Sequence, residues 1–145
     1  ELKKPVTLEA EGLGTFTLDR RVKWFEAEID WCGAKAVLDF DQGEPEEMAK
    51  AQETARALLA DAEGWDRRVR EYAAGELTGL ANDWAEGEEE LSPEDFIARM
   101  ELAAIQVAPD GEFEFWFDDG EMFYGHSIHV TGNLQEGPNW AQMEG

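Results

Sequence analysis

Apolar and polar residues alternate with a period of two between residues 6 and 41. Phe25, Ala27, Ile29 and Trp31 take the apolar positions, with Glu and Asp between them. This pattern is typical of strands with one buried face and one face in water. We predict three antiparallel strands in this region, with a turn at Cys32-Gly33, where the Cys32 thiol is expected to be unreactive.

After Pro45 the apolar residues recur at steps of three and four, which predicts helix over residues 45–86. Gly64 is expected to break or bend this segment. A second helix is predicted over residues 92–101, because Ser92 suits the N-cap, Pro93 the first turn and Asp95 a reciprocal cap. A run of acidic residues over 86–90 is expected to form the loop between them.

The C-terminal third returns to alternating residues. We predict a strand over residues 104–107 and a hairpin made of residues 112–118 and 121–130, closed by a type I′ turn at Asp119-Gly120. In that register Trp116 lies opposite Phe123. These two aromatic side chains are expected either to form a binding platform or to lie beneath a helix. The last 14 residues are expected to be coil.

Together these elements predict an α+β fold in a single domain spanning residues 1–145. Its antiparallel sheet joins the N-terminal meander to the C-terminal hairpin. Two or three helices are expected to pack on one face of that sheet.

Charge is distributed unevenly along the chain. The formal net charge is -22, and Arg99 is the only Lys or Arg among residues 71–145, which contain 18 acidic residues. Such a surface repels nucleic acid and anionic membranes and attracts basic proteins. We therefore expect no nucleic-acid or membrane partner. The first residues of the sequence lack the apolar stretch typical of a signal peptide and the sequence has one cysteine, so a cytoplasmic location is expected.

The run Phe113-Glu-Phe-Trp-Phe-Asp-Asp-Gly-Glu-Met-Phe-Tyr-Gly-His-Ser-Ile128 resembles the signature of a bacterial family known only as a domain of unknown function. The segments from Leu13 to Asp19, Trp24-Phe25, Gly132 and Glu136-Gly-Pro138 resemble other parts of that family. The resemblance implies a soluble bacterial α+β domain without an established activity. The resemblance also implies that members of this family occur among small stand-alone proteins, a group that includes toxin-immunity proteins.

The first functional hypothesis is a non-enzymatic acidic binding protein, such as an immunity or inhibitor protein, that engages a cationic protein surface. Its contact residues are predicted to be Glu88, Glu89, Glu90, Glu112, Glu114, Asp118, Asp119 and Glu121. Acidity that reflects only solubility or a salt-adapted host is the competing explanation. A structural or regulatory domain is another alternative.

The second hypothesis is a small metal-dependent or His-dependent hydrolase that uses His126, Ser127 and His129. Strand alternation places the two histidines on opposite faces, which argues against a shared metal ion. His126 is expected to be a core residue and His129 a surface residue. Asp118, Asp119 and Glu121 favour turn chemistry over a cation site. No cofactor, metal site or catalytic residue is predicted.

Overall fold

The computed structural model describes residues 4–85 and 89–145, which form an eight-stranded sheet and three helices. The sheet order follows the chain from β1 to β8. The strands are β1 Thr7–Ala10, β2 Gly14–Asp19, β3 Trp24–Trp31, β4 Ala34–Asp41, β5 Glu101–Val107, β6 Glu112–Asp118, β7 Ser127–Asn133 and β8 Gly137–Glu144. The helices are α1 Pro45–Ala60, α2 Ala62–Trp84 and α3 Pro93–Arg99.

The predicted α+β class is confirmed, but the sheet is not wholly antiparallel. Strands β4 and β5 pair in parallel, with Leu38 opposite Ile105. Parallel neighbours need a long crossover connection, and here that connection contains all three helices. The N-terminal region also holds four strands instead of three, since β1 pairs with β2.

One face of the sheet and the inner faces of the helices share a single apolar core. The strands contribute every second residue, including Phe40, Phe115 and Ile128. From the helices, Leu58 and Val69 enter the same core. Within residues 4–85 and 89–145, the opposite face of the sheet therefore has no helical layer.

The break between α1 and α2 lies at Asp61 and not at Gly64. Asp61 has φ -140° and caps α2 by accepting the Gly64 N–H at 3.3 Å. A Cβ atom at Gly64 would lie 2.3 Å from a carboxyl oxygen of Asp61. Gly64 therefore permits the cap next to it, and the helix continues through this glycine.

The predicted start of α3 is confirmed. The Ser92 hydroxyl accepts the Asp95 N–H at 3.1 Å, and the Asp95 carboxylate accepts the Ser92 N–H at 3.2 Å. Those bonds hold the pKa of Asp95 below its ordinary value. At the other end, Arg70 of α2 donates to the carbonyl oxygens of Ile97 and Met100, which fastens α3 to α2.

The predicted C-terminal hairpin has the wrong register. Strand β6 pairs with β7 so that Phe117 faces Ile128 and Trp116 faces His129, not Phe123. Residues 119–126 form a loop in place of a two-residue turn, and Phe123 is fully buried there. The last residues are also not coil, because β8 pairs with β7 along its length.

Candidate functional site

A cluster of aromatic rings lies at the centre of the open sheet face. Trp116 and His129 are cross-strand neighbours whose rings stack at 3.7 Å with an interplanar angle of 10°. Trp140 of β8 meets the His129 ring edge-on at 5.3 Å. His129 is only 8% exposed, so it is not the surface histidine that the sequence predicts. Its neighbours Trp116 and Trp140 keep part of their indole surface accessible.

Both ring nitrogens of His129 face carboxylates. Nε2 lies 2.5 Å from Oε1 of Glu114, and Nδ1 lies 3.3 Å from Oε1 of Glu144. Hydrogen bonds from Gln142, and then from His129, hold the pKa of Glu144 below its ordinary value. With both nitrogens engaged, the imidazole is a cross-strand clamp between β6, β7 and β8.

A row of polar side chains crosses four adjacent strands beside this cluster. The register aligns Glu26, Asp39, Gln106 and Glu114. Asp39 is only 3% exposed, and its Oδ1 has no hydrogen-bond partner among the described residues. Burial, followed by the charges of Glu26 and Asp41, raises the pKa of Asp39 to about 7. The row therefore has an unsatisfied carboxyl oxygen at its centre.

A groove with a volume of about 320 Å³ runs alongside the row. Gln106 and Glu114 contribute to its wall, together with Asp41, Thr131 and Asn139. The lining combines carboxylates with amide and hydroxyl groups. Such a surface suits a polar or cationic ligand better than an apolar one.

Carboxylates extend from the row over most of the open face. By strand alternation, this face displays Glu26, Glu28, Asp30, Asp39, Asp41, Glu112, Glu114, Asp118 and Glu144. Lys35 is the only Lys or Arg in the eight strands, and it is paired with Asp30 at 2.8 Å. The acids contributed by β3 and β4 thus join those of the C-terminal strands in one anionic surface.

Several arginines are instead engaged on the helical side. Arg70 pairs with Asp66 at 2.9 Å, and Arg99 donates to the carbonyl oxygen of Gly120 at 2.6 Å. Arg68 lies over the ring of Trp65, 4.4 Å from its centre. Packing and hydrogen bonds therefore hold these cations away from the anionic face.

The predicted contact residues do not share one surface. Glu112, Glu114 and Asp118 share the open face. Glu89 and Glu121 line a different groove, of about 280 Å³, at the end of α2. Two others are Glu90, which is exposed, and Glu88, which lies outside the described residues.

Asp119 belongs to none of these surfaces, because it is only 2% exposed. Its Oδ1 accepts the Glu121 N–H at 2.9 Å, and its Oδ2 accepts the N–H groups of Phe123, Gly125 and His126 at 2.9–3.1 Å. This carboxylate organises the loop of residues 119–126. A two-residue turn would leave these bonds unmade and Phe123 in water.

The candidate hydrolase residues have separate surroundings. His126 is half-buried in the loop, where its Nδ1 contacts the carbonyl oxygen of Phe123 and its ring meets the edge of Trp84. Ser127 begins β7, opposite Asp118 and Glu144. Within residues 4–85 and 89–145, no three His, Cys, Asp or Glu side chains converge closely enough to hold a metal ion.

The sequence did not identify Asp39 and Trp140 as residues of the candidate site. The alternation of residues 36–41 does place Asp39 on the polar face of its strand. Its burial follows from the parallel pairing of β4 with β5, which brings Gln106 beside it. Trp140 joins the cluster because β8 is a strand, whereas coil was expected.

The sequence model of a family described as "Uncharacterized protein conserved in bacteria (DUF2262)" matches residues 10–143. No curated protein and no solved structure matches the chain. In the described part of the chain, none of the helices is long and apolar enough to cross a membrane.

Proposed function

This chain belongs to the DUF2262 family of bacterial proteins, and from the geometry of its open sheet face we propose that it is a non-enzymatic binding protein for a basic protein surface. One observation carries the proposal: carboxylates from strands β3, β4 and β6 gather on a face that none of the three described helices covers. Immunity and inhibitor proteins are the class that this role fits best.

Electrostatic attraction would make the association of such a protein with its partner fast and selective. A surface of one sign steers an oppositely charged partner during encounter, and the association rate then falls as salt screens the attraction. The half-exposed rings of Trp116 and Trp140 supply the aromatic contacts that interfaces favour. Electrostatic attraction would thus speed association with the partner, and the indole contacts would slow its dissociation.

The hydrolase alternative has less support. General base catalysis needs a ring nitrogen that can reach a substrate proton. His129 faces a carboxylate from each of its nitrogens, and His126 points Nδ1 at a backbone carbonyl. These contacts suit structural roles.

A comparison of two charge variants tests the proposal. The first replaces exposed acids of the open face, in the variant Glu28→Gln, Asp41→Asn, Glu112→Gln, Asp118→Asn. The second makes the same change in net charge on the helices, in the variant Glu47→Gln, Glu53→Gln, Glu71→Gln, Glu76→Gln. Each variant and the wild-type protein are immobilised and exposed to a bacterial lysate at about 50 mM and at about 300 mM salt.

We expect the wild-type protein and the helix variant to capture the same basic proteins at low salt, and the open-face variant to lose them. The purified partner should then associate at least about tenfold more slowly at the higher salt, as expected for electrostatic steering. Equal capture by the two variants would mean that acids on the open face matter no more than acids on the helices, and the proposal would then be wrong.

A further inference from the structure

His129 faces two carboxylate acceptors, whereas a neutral imidazole has a single N–H donor. Nε2 lies 2.5 Å from Oε1 of Glu114, and Nδ1 lies 3.3 Å from Oε1 of Glu144. A neutral ring would direct the lone pair of one nitrogen at a carboxylate oxygen, and that contact would be repulsive. An imidazolium ring carries an N–H on both nitrogens and donates to both carboxylates. The geometry therefore matches the protonated ring.

The surroundings of His129 also favour a positive charge. The ladders place four side chains diagonally across from it on the same face, none of them a cation: Glu114, Asp118, Trp140 and Glu144. The Trp116 indole lies parallel to the ring at 3.7 Å, and a cation is attracted to an indole face. Burial opposes the charge, since His129 is only 8% exposed, but two hydrogen-bonded carboxylates offset that cost.

His126, the other histidine of the chain, lacks this arrangement. Its Nδ1 contacts the carbonyl oxygen of Phe123, and its ring meets the edge of Trp84. A neutral ring satisfies that one acceptor with its single N–H. His126 therefore serves as an internal control for the protonation of His129.

Strand β8 is fastened at its two ends by different contacts. It lies at the edge of the sheet and pairs with β7. At its start, Gly137 lies so close to Arg68 of α2 that a Cβ atom on the glycine would overlap the guanidinium group. At its end, His129 contacts Glu144. A ring with one N–H can donate to only one carboxylate, and the longer of its two contacts is the one to Glu144.

We propose that His129 is a proton-dependent clamp, whose imidazolium ring joins Glu114 of β6 to Glu144 of β8 and whose deprotonation releases residues 141–144 of β8. The clamp stabilises the strand while the ring is charged and the carboxylates are ionised, and this contribution is lost as rising pH removes the proton. Imidazole changes charge in the physiological pH range, so this device responds there. It goes beyond the binding role, because it acts with or without a partner.

NMR spectra of the imidazole nitrogens test the charge of His129 in the wild-type protein between about pH 5.5 and pH 9. An imidazolium has two protonated nitrogens, whereas a neutral ring has one protonated and one bare nitrogen. We expect His129 to lose its second proton at least about one pH unit above His126. A bare nitrogen on His129 at about pH 6, or loss of its proton at or below the pH found for His126, would overturn the proposal.

Two substitutions on the open face separate the clamp from the general field of the acids. Glu144→Gln removes one of the two carboxylates and should lower the pH of the His129 transition by about one unit. Glu112→Gln makes the same change in charge outside the cluster and should lower it by less than about 0.3 unit. Equal shifts in the two variants would contradict a specific role of Glu144.

Amide hydrogen exchange tests the release of β8. In the wild-type protein, the protection factors of residues 141–144 should fall about tenfold between about pH 6 and pH 9, whereas those of the other edge strand, β1, should not. In His129→Gln the protection of residues 141–144 should be low at both pH values. Asp39 titrates in the same range but is present in both proteins, so a fall common to both does not come from the clamp.

Glu144→Gln provides a second comparison that keeps the buried ring in place. It should lower the protection of residues 141–144 already at about pH 6. Unchanged protection of these residues in the wild-type protein across the pH range, or an equal fall in His129→Gln, would show that the proton does not control β8 and would overturn the clamp.

Discussion

Replacing Asp119 with alanine is the sharpest test of the loop of residues 119–126. The carboxylate accepts four backbone N–H groups and is 2% exposed. The Asp119→Ala variant leaves those donors without a partner. It also releases the segment that holds Phe123, which is fully buried against Trp84 and Phe96.

The size of the effect follows from these bonds. A hydrogen bond to a charged group contributes about 1.5–3 kcal/mol, but the four share one carboxylate and are not additive. Some of the freed N–H groups reach water when the loop relaxes. We therefore expect the free energy of unfolding to fall by about 3–5 kcal/mol. Asp119→Asn keeps one acceptor oxygen and should lose about half as much.

Urea unfolding followed by tryptophan fluorescence measures this loss. The matched control is Asp118→Ala, which removes the adjacent, exposed carboxylate and should cost less than about 0.5 kcal/mol. A loss at Asp119 below about 1 kcal/mol, or equal to that at Asp118, would refute the role assigned to this carboxylate.

Three further substitutions test other parts of the fold by the same unfolding measurement. Gly120→Ala should cost roughly 2–3 kcal/mol, because φ is +57° and the new Cβ would lie 2.4 Å from the Arg99 carbonyl oxygen. Ser92→Ala should cost about 1 kcal/mol through loss of the α3 cap. The raised pKa of Asp39 makes folding less favourable as the pH rises from about 4 through 7, so Asp39→Asn should be more stable than the wild-type protein at pH 8 and similar to it at pH 4.

Each of these predictions has its own control or contradicting outcome. Gly79→Ala, on an exposed site in α2 with open space around its Cβ, should stabilise by about 0.5–1 kcal/mol and so calibrates the effect at Gly120. Unchanged stability of Ser92→Ala would show that the N-terminus of α3 does not depend on its cap. Parallel stability–pH curves for Asp39→Asn and the wild-type protein would contradict the raised pKa of Asp39.

Local patterns predicted the elements whose structure depends on neighbouring residues. The alternation around Phe25 gave β3 its two faces, and the reciprocal cap of Ser92 and Asp95 located the start of α3. The Asp119-Gly120 pair led to the wrong prediction of a two-residue turn, because this dipeptide is typical of such a turn. The carboxylate of Asp119 instead collects donors up to seven residues away, and burial of Phe123 favours the longer loop.

The candidate site depended on pairings that no local pattern encodes. Trp116 meets His129 only because β6 and β7 align across an eight-residue loop. Asp39 is buried beside Gln106 because two strands separated by three helices pair in parallel. The excess of acids was evident from the sequence, whereas their assembly on one face required the register of β3 through β7.

The parallel pairing of β4 with β5 has a consequence for the folding kinetics. The other neighbouring strands are joined by short loops, so residues 7–41 and 101–144 can each form a meander from local contacts. In the sheet, three ladder pairs of β4 and β5, from Val37–Ala104 to Asp39–Gln106, join the two meanders, and they must wait for a chain of 59 residues, 42–100, to fold back. This closure should therefore limit the folding rate, and the acidic face, which spans the junction, is complete only once it has occurred.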